Sequence, residues 1–327
     1  LRHRLPAESW RSCRPRPLSP MVVTPVPELA TLLDQVTVIT VTYNSSHCVP
    51  ALAEGLRGVP HVTVVDNASG DDSCAAVAAQ LPAARLIRMP ENRGYGAANN
   101  AGLAEVKTPY ALLLNPDCLV TPAQIADLVA SAQQWRDATL LVPQLLEAQG
   151  RKQLNYSWPR GAWEPRTDGA DGPLNVGYAC AAVMLINMAQ MEKVGMMGAP
   201  GAVFDTRFFL YYEDEDLCMR VFQRHGQILV LPGIEVTHLS RGSVKGSAPW
   251  RAEFWRGFHH AQSKIIFLDK HAGRAAANRA RFRLMASSCA NVLVRTVLLS
   301  PKHLARAWGR LRGVWQLRLG GTSVSPL

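Results

Sequence analysis

Val36-Thr-Val-Ile-Thr-Val-Thr42 is β-branched at every position, and such a run of stiff side chains favours a buried strand over a helix. It stops at Tyr43-Asn-Ser-Ser46, whose short polar side chains suit a turn. The same punctuation recurs downstream. His61-Val-Thr-Val-Val-Asp66 reads as a second strand, closed by Asn67-Ala-Ser-Gly70. Arg85–Met89 reads as a third, and Tyr110-Ala-Leu-Leu-Leu114 as a fourth that runs into Asn115-Pro-Asp117. Helical stretches over 46–56, 71–81 and 97–106 separate them. Strands and helices alternating at this short spacing predict an α/β fold, a Rossmann-like and mostly parallel sheet with helices on both faces. Ligands in such sheets bind beyond the carboxyl ends of the strands, which is where Asp66 and Asp117 fall.

Further along, 122–135 reads as a helix and 140–143 as a strand. Residues 147–175 form a long polar loop containing Trp158 and Trp163, two aromatic faces that can either pack the loop or stack on a ligand. Residues 179–186, 228–231 and 234–237 read as strands, the last ending at His238. Between them Phe208-Phe-Leu-Tyr-Tyr-Glu-Asp-Glu-Asp216 breaks from an apolar run into four consecutive carboxylates. Leu217, Cys218, Val221 and Phe222 then mark one face of a helix. The acids therefore sit at a helix N-terminus, where the dipole and free N–H groups favour negative charge. Two separated carboxylate sites in an α/β chain can divide labour, one holding a metal ion and one acting as a base.

The net charge of +10 is uneven. Residues 251–327 carry +12 and residues 1–20 carry +4, while 21–250 carry −6. A mildly acidic body thus bears a basic appendage, a sign of an anionic partner surface. Residues 251–271 and 279–318 read as basic helices, and 276–327 as a basic amphipathic tail with an apolar stripe through Val292, Leu293, Val297 and Leu298. Such a tail is expected to lie on an anionic membrane surface. No stretch reads as a membrane span: the best, 284–299, is short and contains Arg295. The seven cysteines are scattered singly, which argues against a zinc site or disulfide framework and for a reducing cytoplasm. Residues 1–20 read as a disordered or non-native extension, with Met21 as the start.

Taken in order, Val-Thr-Tyr-Asn-Ser (41–45), Val-Val-Asp-Asn-Ala-Ser (64–69), Glu-Asn-Arg-Gly-Tyr-Gly-Ala-Ala-Asn-Asn (91–100), Leu-Leu-Asn-Pro-Asp (113–117), Tyr-Tyr-Glu-Asp-Glu-Asp-Leu (211–217) and Val-Thr-His (236–238) resemble family 2 glycosyltransferases of GT-A fold, rhamnosyltransferase-like branch. The resemblance spans about 36–275. It implies a domain over 21–275, with a nucleotide-binding half at 36–120 and an acceptor half at 121–250. It also implies inverting transfer of a sugar such as rhamnose from a dTDP- or UDP-linked donor to a growing, lipid-linked glycan. The enzyme would work at the cytoplasmic face of the membrane and bind no nucleic acid. By the same resemblance Asp214 is the catalytic base, ionised at the ordinary carboxyl pKa of about 4. Asp117 and His238 would hold a divalent Mg or Mn ion. Thr42, Tyr43 and Asp66 would bind the nucleoside, Arg93 and Gly94 would border the donor, and Asn115, Glu213 and Asp216 would hold substrate. Asn115 stands where a full Asp-x-Asp motif has its first acid. A hard cation prefers carboxylate oxygen, so the ion should be held less tightly here.

Two other readings compete. A nucleotidyltransferase of similar fold would open with a Gly-rich basic loop after the first strand, where this chain has Thr-Tyr-Asn-Ser. A basic nucleic-acid-binding protein should carry a recognisable helix motif, and would leave the acidic sites without a purpose.

Overall fold

The computed structural model describes residues 28–157, 172–197, 203–239 and 249–319. Trp158, Trp163 and residues 1–20 lie outside that set. Strands β1 (Val36–Thr42), β2 (Val62–Asp66), β3 (Arg85–Arg88) and β4 (Tyr110–Leu114) form where the β-branched and apolar runs predict them. Helices α1 (Leu29–Leu33), α2 (Val49–Gly55), α3 (Ser73–Gln80) and α4 (Tyr95–Leu103) lie before and between them. There follow β5 (Cys118–Leu119), α5 (Pro122–Gln134), β6 (Ala138–Leu146), β7 (Tyr156–Ser157), β8 (Leu174–Asn175), β9 (Tyr178–Ala179), β10 (Val183–Asn187) and α6 (Met188–Lys193). The chain ends in α7 (Glu213–Gln223), β11 (Gln227–His238), α8 (Pro249–Ala272), α9 (Arg274–Val297) and α10 (Pro301–Gln316).

The main sheet runs β3-β2-β1-β4-β10-β6-β11-β5, with β8 paired to β11. β3, β2, β1 and β4 are parallel neighbours, and β6 and β11 continue in the same direction across a reversed β10. Alternation along each strand sorts its side chains between two faces. Val36 and Val38 of β1 and Leu112 and Leu114 of β4 pack with Leu52 of α2 and Ile125 and Leu128 of α5. Ile39, Ala111 and Leu113 point the other way, onto Leu103 of α4 and Leu217 and Val221 of α7. Thr121 caps α5 with a reciprocal bond to Gln124, as Thr-Pro-Ala-Gln suggests.

Three elements differ from the sequence expectation. The apolar run 179–186 is not one strand but two, β9 and β10, separated by Cys180-Ala181-Ala182. The two strands expected over 228–237 are one bulged strand, β11, with its irregularity between Leu231 and Glu235. The helix expected over 279–318 is two, broken before Pro301, because proline cannot donate to the preceding turn.

Nor is the C-terminal tail a free appendage. Phe208 and Tyr212, just ahead of α7, share a core with Ile265 and Phe267 of α8, Ala277 of α9 and Val314 of α10. α10 lies close along α8 because Gly309 and Gly313 present no side chain there. A Cβ on Gly309 would fall 2.0 Å from the Phe254 carbonyl oxygen, and one on Gly313 2.5 Å from that of Phe258. Arg306 Nε of α10 also donates to buried Glu253 Oε2 of α8 at 2.6 Å. Among the described residues no helix is long and apolar enough to cross a membrane.

Candidate active site

The carboxyl ends of β1, β2 and β4 lie side by side and build one half of the site. Asp66 ends β2, buried, and accepts from Thr42 Oγ1 at 3.0 Å and from the Ser69 N–H at 3.0 Å. Thr42 is itself fully buried. It orients Asp66 from within the fold, a position from which the nucleoside contact expected in the sequence would run through Asp66. Tyr43 is exposed at the strand end. The organiser of the neighbouring loop is Asn67, a residue the sequence reading passed over. Its Oδ1 accepts from the Arg93 N–H at 3.0 Å, and its Nδ2 donates to Asn92 Oδ1 at 2.9 Å and the Gly94 carbonyl at 3.3 Å. The Arg93 guanidinium extends into solvent, 3.8 Å from Glu91. Gly94 adopts φ +87°, and a Cβ there would fall 2.1 Å from the Phe209 carbonyl oxygen. Only glycine fits both demands. The contact matters because it joins the Arg93–Gly94 loop to the segment that leads into α7, and Tyr95 N–H donates to the same Phe209 oxygen at 3.1 Å.

β4 delivers the second element. Asp117 is buried, and pairing of β5 with the end of β11 sets His238 opposite Cys118. His238 Nε2 lies 3.6 Å from Asp117 Oδ1. The ligand atoms of Asp117, Cys118 and His238 all fall within 4.8 Å of one another. The Cys118 thiol is pushed well up by burial and by the Asp117 charge and donates to the Ala182 carbonyl at 3.6 Å, and a soft thiol is not the ligand a hard cation prefers. Asn115 Oδ1 is buried with no hydrogen-bond donor. A carboxylate, an imidazole and an amide oxygen awaiting a positive partner make a donor set that suits Mg or Mn. Metal binding by Asp117 and His238 is thus compatible with the geometry, and Asn115 fits beside them as a neutral ligand.

The third element is the first turn of α7. Tyr211 and Tyr212 both have left-handed backbones, φ +70° and +68°, a costly conformation for aromatic residues. It starts the helix abruptly and delivers four acids into one turn. They diverge. Asp214 is half-buried against β9: its Oδ2 accepts from Tyr178 Oη at 3.2 Å and from the Ala181 N–H at 3.4 Å, and its Oδ1 from the Glu215 N–H at 2.8 Å. Glu213 is buried, with Oε2 lacking any donor. Burial first, and then the Asp214 charge, raise its pKa to about 8. Burial raises Asp214 too, against the lowering effect of its three donors. The expectation of an ordinary carboxyl pKa for Asp214 is therefore corrected upward. Of the two, Asp214 has the donors that stabilise an anion, so it carries the charge and Glu213 the proton.

Asp216 is placed elsewhere. It is fully buried and faces α8. Lys270 Nζ lies 2.7 Å and His271 Nε2 2.8 Å from its Oδ1, and Arg220 Nε donates to its Oδ2 at 2.8 Å. Burial alone would raise its pKa, but the His271 bond and the Arg220 and Lys270 charges bring it below the usual range. Both oxygens are occupied by groups of the chain itself, so the substrate-binding role expected for Asp216 gives way to a fastening one.

The base candidate and the cation candidate meet at the break between β9 and β10. The Ala181 N–H donates to Asp214, while the Ala182 carbonyl accepts from the Asn115 N–H at 2.8 Å and from Cys118 Sγ at 3.6 Å. The two acidic sites thus flank one short turn. An anionic acceptor of protons and a cation-binding pair on either side of one turn can serve the two ends of one group transfer.

The fold is that of GT-A glycosyltransferases, and the comparisons with known proteins make the chain a glycosyltransferase. Residues 37–189 match the family described as Glycosyl transferase family 2, and the chain is similar to rhamnosyltransferases of that kind. It is 25% identical over 279 residues to the N-acetylglucosaminyl-diphospho-decaprenol L-rhamnosyltransferase of Mycobacterium tuberculosis, covering 74% of this chain and 87% of that one. It is 26% identical over 221 residues to the low-salt glycan biosynthesis hexosyltransferase Agl10 of Haloferax volcanii, covering 62% and 68%. Among solved structures, the mannosyltransferase PcManGT of Pyrobaculum calidifontis, in complex with GDP-Man and Mn2+, superposes with a TM-score of 0.51 over 87% of this chain and 88% of its own. At 16% identity that likeness speaks to the fold.

Proposed function

We propose that the chain catalyses inverting transfer of a hexosyl or deoxyhexosyl unit, rhamnose first among them, from a dTDP- or UDP-linked donor to a hydroxyl of a lipid-linked glycan. The observation that carries this reading is the single turn that touches Asp214 on one side and, on the other, Asn115 and Cys118, which flank Asp117. Asp214 accepts the proton of the acceptor hydroxyl as its oxygen attacks the anomeric carbon. The bond from that carbon to the donor diphosphate breaks on the opposite face, so the configuration inverts and the nucleoside diphosphate departs. A divalent ion held by Asp117 and His238, with Asn115 beside them, would neutralise the charge that develops on the diphosphate. Asp66, steadied by Thr42, and exposed Tyr43 receive the nucleoside. The backbone of Arg93 and Gly94, set by Asn67, borders the donor. Protonated Glu213 keeps a second negative charge away from Asp214. The similarity to an enzyme named for a diphospho-decaprenol substrate supports a lipid-linked acceptor, and with it a place on the cytoplasmic face of a membrane.

The test is a panel of nucleotide sugars, each with Mg, Mn or excess chelator, read by thermal stabilisation and by product formation on a polyprenyl-diphosphate-linked sugar. A donor that binds should raise the unfolding temperature by mass action. If no nucleotide sugar stabilises the chain in any metal, the reading fails.

A further inference from the structure

The catalytic reading leaves one surface unused: the elbow where α9 turns into α10. Val297 is 81% exposed and Leu299 87%, and Leu293, Val294 and Leu298 beside them are exposed as well. Leu299 has a left-handed backbone, φ +48°, which turns its side chain outward at the bend. Against the elbow lies an apolar groove of about 740 Å³ between the N-terminal end of α8, the C-terminal end of α9 and the start of α10. Phe254, Val292 and Leu304 line it, with Trp250 and Trp308, which remain 59% and 51% exposed. A monomer rarely leaves so contiguous an apolar surface open without use.

The surrounding charge says what covers it. Arg251, Lys302 and His303 are exposed around the elbow, with Arg295 between its apolar residues. No Asp or Glu follows Asp269 in the chain. A second copy seated on this patch would bring like charges together. An anionic lipid surface would meet the cations with phosphates, the apolar tip with acyl chains, and the tryptophans at the boundary where they prefer to sit.

We infer that the α9–α10 elbow is a membrane-docking element that inserts Val297, Leu298 and Leu299 into an anionic leaflet. For its purpose, though not for its test, this rests on the lipid-linked acceptor proposed above. The element is rigidly geared to the site. α8 carries His259, whose ring stacks on Phe209 at 4.5 Å, beside the Gly94 loop. Trp250 stands nine residues earlier on the same helix, about 14 Å along its axis. An elbow buried by about 5–10 Å would therefore hold the cleft just above the headgroups, where a lipid-bound diphosphate sugar is presented.

The test is co-sedimentation of the full chain with vesicles of phosphatidylcholine, alone or mixed with phosphatidylglycerol. The intact chain should bind the mixed vesicles at least about ten-fold more tightly, and less so as salt rises. Leu298→Glu with Leu299→Glu, at exposed positions that no core packing needs, should lower that binding by about ten-fold or more. Brominated lipids should quench tryptophan emission of the intact chain and not of the double variant. Binding of the double variant equal to that of the intact chain would overturn the proposal. So would failure of the intact chain to sediment, or a dimer in solution that the two substitutions dissolve. Vesicle binding decides the docking proposal. Transfer to a short, water-soluble acceptor, which the double variant should perform as well as the intact chain, separately decides the catalytic reading.

Discussion

Replacing Glu213 by glutamine tests the charge division at the head of α7. In the folded chain Glu213 holds its proton to about pH 8, against an ordinary value of 4.5. The folded-state pKa is thus raised above the unfolded one. The associated stability is fully present below pH 4.5 and is lost as pH rises through 8, because the unfolded chain releases the proton first. Each pKa unit corresponds to about 1.4 kcal/mol. Stability should therefore decline by about 3 kcal/mol by pH 7 and level off near 5 kcal/mol above pH 8. Glutamine keeps the shape without the titration. It places an amide where Oε2 lacks a partner, at a cost of about 1–3 kcal/mol that does not vary with pH. The informative quantity is accordingly the difference in unfolding temperature between variant and wild type, followed with pH. Between pH 5.5 and 8 it should move in favour of Glu213→Gln by about 3 kcal/mol, or about 6 °C at about 2 °C per kcal/mol for a chain of this size. Scanning calorimetry or thermal circular dichroism reads it directly. A difference that stays constant over that range would mean that Glu213 is ionised throughout, and that Asp214 does not hold the charge alone.

Asp214→Asn should lower turnover by about 10²–10⁴ while nucleotide-sugar binding, read by calorimetry, is unchanged; retained turnover would move the base elsewhere. His238→Ala should weaken divalent-ion affinity by at least about ten-fold, measured by titrating Mn2+ against its electron spin resonance signal, and equal affinity would remove His238 from the site. Asp216→Ala leaves Lys270, His271 and Arg220 without their shared anion and should cost about 3–5 kcal/mol, read by urea unfolding. In the wild type the same contribution should disappear as pH falls below the ordinary carboxyl range, since the Asp216 pKa is depressed. Unchanged stability in the alanine variant would make the network incidental.

The parallel half of the fold was legible because local signals there agree with tertiary need. β1 and β4 have the bounds their sequences announce, since each is bounded by a turn that only Asn, Ser or Pro chemistry makes. The break at Cys180-Ala181-Ala182 was not legible. Ala and Val read as one apolar strand, and what divides them is a pair of contacts to Asp214 and Asn115, 33 and 67 residues away. Tyr178 is hidden for the same reason: nothing near it in sequence marks its hydroxyl as a partner of Asp214. Asn67 sits in a segment whose turn character was evident, but its bonds to Arg93 and Gly94 depend on the crossover that sets their loop beside it. The proline that splits α9 from α10 was visible, and the length of the surrounding helical pattern concealed it.

Why Asp214, and not another of the four acids, can be the base follows from helix geometry once the helix start is known. Successive residues are turned by about 100°. Asp214 and Asp216 are therefore about 200° apart, and one helix cannot aim both into the cleft. The left-handed pair Tyr211 and Tyr212 fixes the first turn's rotation, at a cost of about 1–3 kcal/mol for each residue. Burial of Phe208 and Tyr212 against α8 offsets that cost. With the rotation fixed, Asp216 meets Lys270 and His271 on one side, and Asp214 meets Tyr178 and Ala181 on the other. If Asp214 is the base, as proposed, the helical tail has a part in the chemistry that its sequence, read as a basic appendage, did not suggest. It holds Asp216 so that Asp214, two residues earlier, faces the turn it shares with the cation site. Weakening the tail's grip should lower turnover before it lowers donor affinity. Lys270→Met tests this, because it removes one bond to Asp216, with the Lys270–Asp205 pair, and leaves those of Arg220 and His271 in place. Its kcat should fall while its KM for the donor holds. If the two parameters change in equal proportion, the orientation of Asp214 does not depend on α8.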